Sequence, residues 1–206
     1  MAGSALTRPG APPVDDIEDS EFPPDRVRDA PEIARRALAL FAVVALSFRA
    51  PRDDTLAWLR AESLWDELTP EELAFVSAEA PTKKQSIDAS WRSEALLVLL
   101  WALGKVDPIP GAGAECEAGM FKAILPPFAD LEVSDFIASA TRRSDETLHR
   151  MAGESLHAHW RVRDAHSRGK AVPPDLNAGV VRERHHAVNW VVGYEGSPWD
   201  EVATDT

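Results

Sequence analysis

Three polar side chains stand where apolar ones belong. In Trp91-Arg92-Ser93-Glu94-Ala95-Leu96-Leu97-Val98-Leu99-Leu100-Trp101-Ala102-Leu103 a carboxylate is set into a hydrophobic run. At helical spacing Trp91, Glu94, Ala95, Val98, Trp101 and Ala102 share one stripe, so Glu94 lies between two tryptophans on a face that should be buried. In Val180-Val181-Arg182-Glu183-Arg184-His185-His186-Ala187-Val188-Asn189-Trp190-Val191-Val192, Arg184 shares a stripe with Val181, Val188 and Val191. A lone buried carboxylate needs a cation or several donors, or it is protonated. A guanidinium offers five donors in a planar fork that matches a carboxylate. The spacing therefore predicts that Arg184 meets Glu94, Asp200 or Asp205 inside the globule and clamps the last ten residues across the helices. Trp199 would anchor that tail, and Thr204 and Thr206 could add hydroxyls. Asn189, mid-helix among apolar residues, must find partners for its amide.

The same groups allow a second reading. Tryptophan walls with a few convergent polar groups describe a ligand site. Trp91, Arg92, Glu94, Trp101, Arg184, His185, Asn189, Trp190, Trp199, Asp200 and Asp205 are the candidates. They could bind a small anionic or aromatic ligand or host a reaction, hydrolysis among the options. The clamp is the preferred reading, because buried ion networks often have only a structural duty.

Other chemistry fails on spacing. His149, His157, His159 and His166 lie on different faces or two turns apart, His185 and His186 diverge, and no His-Glu-x-x-His occurs, so no metal is expected. His159, on a stripe with Met151, Ser155 and Val162, reads as a core histidine. Gly153-Glu154-Ser155-Leu156-His157 lacks the second glycine of a nucleophile elbow and falls in a helix. Gly111-Ala112-Gly113 lacks the third glycine of a dinucleotide loop, and no cofactor is expected. Cys116 has acidic neighbours, Glu115 and Glu117, which raise a thiol pKa. Arg142, Arg143, Arg161, Arg163, Arg168 and Lys170 are interleaved with acids and read as a solvated helix face.

Helices must position these groups. Asp29 can cap a helix with Pro31 in its first turn, running to about Arg49. Asp53 or Asp54 caps the next. Thr69-Pro70-Glu71-Glu72 is a capping box opening a short helix to about Glu79. The long helix of Glu94 starts near Ser86 or Asp88 and stops at Gly104; apolar all round from Leu96 to Leu103, it should be central. A weak helix is expected over 115–125, then one from Ser134 to Arg142. Ser144 caps a long helix ending near Gly169, and Asn177 caps the last, to about Val192. No alternating strand pattern stands out. Residues 1–30 hold five prolines and seven acids against three arginines, and read as a disordered acidic arm. The expectation is an all-α chain. A single compact multi-helix domain spans 31–206, behind the arm, with an ordered irregular C-terminal tail.

At 206 residues the chain can bury a core without disulfides, and its single cysteine removes any disulfide framework. A net charge of −12 opposes nucleic-acid binding and would steer a basic protein partner. No signal peptide reads out, and the apolar stretch from Ala37 to Leu46 is far short of the ~20 residues of a membrane helix. A soluble, cytoplasmic protein follows.

Several segments together resemble one family. They are Trp58-Leu59 with Leu64-Trp65; Leu68-Thr69-Pro70-Glu71-Glu72; Trp91-Arg92-x-Glu94-Ala95-Leu96 with Leu100-Trp101-Ala102-Leu103-Gly104; Trp160 with Arg163-Asp164-Ala165; Gly179-Val180-Val181-x-Glu183-Arg184-His185-x-Ala187-x-Asn189-Trp190; and Trp199-Asp200-x-Val202-x-Thr204-Asp205-Thr206. From Pro31 to Thr206 the chain resembles the mostly bacterial DUF4272 family of domains of unknown function. The resemblance implies a largely helical fold and no activity. No chemical motif survives, so the expected function is a non-enzymatic module that binds a protein partner. The alternative is a ligand-binding protein or enzyme built on the Trp/Arg/Glu/Asn cluster. Oligomeric state stays open.

Overall fold

The computed structural model describes residues 26–205. Among them are seven α-helices and no strand: α1 (Ala30–Ser47), α2 (Arg52–Ala61), α3 (Pro70–Ser77), α4 (Lys83–Ala102), α5 (Val133–Ala138), α6 (Asp145–Ser167) and α7 (Ala178–Val192). Short 3-10 turns at Ala118–Ala123 and Trp199–Glu201 lie in the connections and the tail. The main layer packs α1 on α4, α4 on α7 and α7 on α6. Leu96, Leu97, Leu99 and Leu100 are fully buried, because α4 has helices on both sides and apolar residues all round.

Local signals set several boundaries. Thr69 and Glu72 form the expected reciprocal box at α3. The Ser144 hydroxyl accepts from the Thr147 amide at α6, and the Asn177 side chain accepts from Gly179 and Val180 at α7. Gly104, just past α4, takes φ +68°, the left-handed conformation that ends a helix.

Other boundaries differ from the sequence expectation. Helix α4 begins at Lys83, earlier than Ser86, because Thr82 and Gln85 make a second capping box. Pro51 occupies the N-cap position of α2, and Asp53 and Asp54 sit in its first turn, where they favour the helix dipole without capping. Asp29 stands at the N-cap of α1 but makes no side-chain cap bond. The 115–125 segment forms only the 3-10 turn at Ala118–Ala123, and α5 starts before Ser134. The predicted arm lies outside the described residues for 1–25, as does Thr206. Arg26 to Ala30 are placed, and the Arg28 amide donates to the Val191 carbonyl at 2.9 Å. Among the described residues no helix is long and apolar enough to cross a membrane.

Candidate functional site

Arg184 and Glu94 meet as the spacing predicts. Arg184 Nε donates to Glu94 Oε2 at 2.9 Å, and Nη2 approaches the same oxygen at 2.8 Å without an aligned hydrogen bond. Glu94 Oε1 accepts the Cys116 amide at 2.5 Å, and Arg184 Nη1 donates to the Pro110 carbonyl at 2.5 Å. Glu94 is 0% exposed. Both carboxylate oxygens are therefore used, and the pair ties α4, α7 and the 110–116 connection together. The thiol of Cys116 is pushed up to about 12, by burial first and by Glu94 second. Its sequence neighbours Glu115 and Glu117, expected to do this, are not the cause.

The tail does not reach Arg184. Two residues along a helix turn it by about 200°, so His186, Asn189 and Trp190 face away from Arg184, and the tail lies on their side. Asn189 Nδ2 donates to the Ala203 carbonyl at 3.0 Å. The Trp199 ring stands edge-on to His186 at 4.8 Å and to Trp190 at 5.3 Å. Asp200 Oδ2 accepts the Glu71 amide at 3.3 Å, and Asp205 is exposed. The clamp on the last residues is thus Asn189 and Trp199; the expected carboxylate partners Asp200 and Asp205 play no part at Arg184.

A second polar centre, which the sequence reading missed, lies under that tail. Arg36, 4% exposed, pairs with buried Glu72, donates from Nη1 to the Glu67 carbonyl at 2.8 Å, and stacks 4.5 Å from the centre of the Trp199 ring. Beside it Arg92 Nη1 donates to Glu183 Oε2 at 3.0 Å, and Arg182 holds Glu183 Oε1 at 2.9 Å. Arg36 Nε, Trp199 Nε1, His186 Nε2 and Asp200 Oδ1 are buried without a partner. His186 is lowered to about 4, chiefly by burial, then by the charge of Arg92. Arg36 shares a stripe with Ile33 and Leu40, the same signal that exposed Arg184.

The remaining candidates disperse. Trp101 lies under Arg143, whose guanidinium carbon is 4.8 Å from the ring centre. Trp91 rests against Gly179, where an added Cβ would fall 2.7 Å from the ring. The four tryptophans do not line one cleft. His185, a candidate ligand group, is buried with its Nδ1 3.0 Å from His159 Nδ1. His185 is lowered to about 4, by burial first and then by His159. Among the described residues no group of three or more His, Cys, Asp or Glu is set to hold a metal.

A different region is open. Two adjoining cavities of about 280 and 510 Å³ share Phe41, Ala45, Ala50, Pro51 and Phe128, at the end of α1 beside α2. Trp58 lines the first, and Phe48, Arg49 and Lys122 the second. Phe48 is 59% and Phe128 56% exposed, the largest values among the big apolar residues described. A family profile with the description "domain of unknown function (DUF4272)" matches residues 6–202. Comparison with curated proteins and with solved structures finds no match.

Proposed function

The chain belongs to the DUF4272 family, whose description carries no activity, and we propose from its geometry that it is a non-enzymatic module binding a protein partner. The partner presents an apolar segment to the groove between α1, α2 and Phe128. One observation carries this: two joined, mainly apolar cavities with two half-exposed phenylalanines at their edge. Contiguous exposed apolar surface marks interaction sites on folded chains, and aromatic anchors dominate their energetics. The chain's charge of −12 suits a partner with basic flanks. A cytoplasmic setting fits the single cysteine.

The reading that places a ligand or a reaction on the Arg184 cluster has less support. Glu94 has no solvent exposure and no free oxygen, so its carboxylate is not presented to a substrate. The test places a photo-crosslinking residue at Phe48 and compares the chain with Phe128→Asp. A stoichiometric crosslinked protein, lost in Phe128→Asp at an unchanged thermal midpoint, supports the reading. A clean monomer under mild salt, or a complex indifferent to Phe128→Asp, overturns it.

A further inference from the structure

A third cavity, of about 370 Å³, opens where the C-terminal half of α6 meets the first turn of α7. Its lining is Trp91, His159, Val162, Arg163, His166, Ala178, Gly179 and Arg182. No carboxylate is among them, although the chain as a whole carries −12. We propose that this cavity binds a small organic phosphate, held by Arg163, Arg182 and Nε2 of His159, with its planar group against Trp91.

The donors are positioned and available. His159 is 9% exposed and uses Nδ1 on His185, so Nε2 is the ring nitrogen left for the cavity. Arg163 is exposed and has no ion pair among the described residues. Arg182 has one partner, Glu183, whose other oxygen is already taken by Arg92. The guanidiniums of Arg163 and Arg182 both act on His159, which burial and these two charges lower from its ordinary value. His159 is thereby held neutral, and an anion among the three would lie in the joint positive field of the two guanidiniums. Two guanidinium forks and an imidazole match the several oxygens of a phosphate better than a single carboxylate. The amides of Gly179 and Val180 are occupied by the Asn177 side chain, so α7 contributes only its favourable dipole.

Size and shape argue for more than the bare ion. The volume reaches the range of roughly 300–1,000 Å³ typical of ligand pockets. Gly179, by lacking a Cβ, lets the Trp91 ring lie at the wall. Aromatic walls accept any planar base by stacking.

Calorimetric titration of the full chain with adenosine monophosphate and, separately, with inorganic phosphate tests the site. Saturable one-to-one binding of the nucleotide is expected, tighter than phosphate. Arg163→Glu should weaken it by about tenfold or more, as the loss of one charge-assisted hydrogen bond implies. Arg163 is exposed and unpaired, so this variant keeps the fold. Arg168→Glu, just past the end of α6 and outside the cavity, should leave binding unchanged. Absence of saturable nucleotide binding at millimolar concentration overturns the proposal, as does equal affinity for nucleotide and phosphate or indifference to Arg163→Glu. The cavity is separate from the Phe41–Phe128 groove, so either result leaves the partner reading untouched.

Discussion

Two buried Arg–Glu pairs brace this molecule, and they are finished to different degrees. At Arg184–Glu94 each carboxylate oxygen has a donor, the guanidinium also reaches a carbonyl, and a single buried atom, Arg184 Nη2, lacks an aligned partner. Around Arg36–Glu72 four polar atoms from Arg36, His186, Trp199 and Asp200 are enclosed without partners. An enclosed polar atom with no partner costs about 1–3 kcal/mol. The first pair therefore fixes the 110–116 connection firmly. The second lies beneath a tail seated by ring contact and by the bonds of Asn189, Asp200 and Ser197, set against that cost. The tail is expected to be the first region to open.

Truncating each arginine should separate the two pairs by the widest margin. Arg184→Ala should cost about 3–5 kcal/mol in urea unfolding, because it strands Glu94 in the core. Arg36→Ala should cost less, since Glu72 keeps the Thr69 amide and borders an open cavity on the α3 side. Equal losses would remove the distinction.

Acid comes next. His185 and His186 are both lowered to about 4 from 6.5. A histidine depressed on folding binds its proton more readily unfolded, so stability is full above pH 6.5 and falls as pH drops from 6.5 toward 4. For fully buried His185 the loss is on the order of 3 kcal/mol, with less for half-buried His186. Urea midpoints across that window measure it, and a flat profile would contradict the burial argument. His186→Gln should remove only the part belonging to the tail side.

Asn189→Ala should cost about 1–2 kcal/mol. Its signature in hydrogen exchange is faster labelling of 199–205 with no change at the Cys116 amide. Uniform acceleration would mean that tail and core open together. Thr69→Ala removes the cap that orients Glu72 and should cost about 1 kcal/mol. Thr82→Ala should cost similarly little, with no effect on the tail.

What the sequence makes legible is mostly local. The caps at Thr69, Ser144 and Asn177 and the stop at Gly104 depend on neighbours within four residues, and they stand as read. Arg184 with Glu94 was legible because each breaks an apolar stripe. The helix's own geometry also shows why Arg184 cannot hold the tail: His186, Asn189 and Trp190 face the other way. Arg36 breaks its stripe too, but its partner Glu72 already has a local role in the Thr69 capping box, so nothing in the sequence points from one to the other. His159 with His185 could not be read, since only the packing of α6 on α7 brings residues 26 apart into contact. The Phe41–Phe128 groove arises between segments with no shared pattern.

Arg28 ties the chain before the first helix to the end of the last. Its amide and side chain reach the carbonyls of Val191, Trp190 and Ser197, and Gly193 leaves room for the neighbouring Arg26 backbone that no Cβ would permit. The strand of chain entering α1 and the one leaving α7 are thus stitched to the same helical turn. A pull on either flank would load both in shear before it reached the core, and a short tether could join the two into a closed ring.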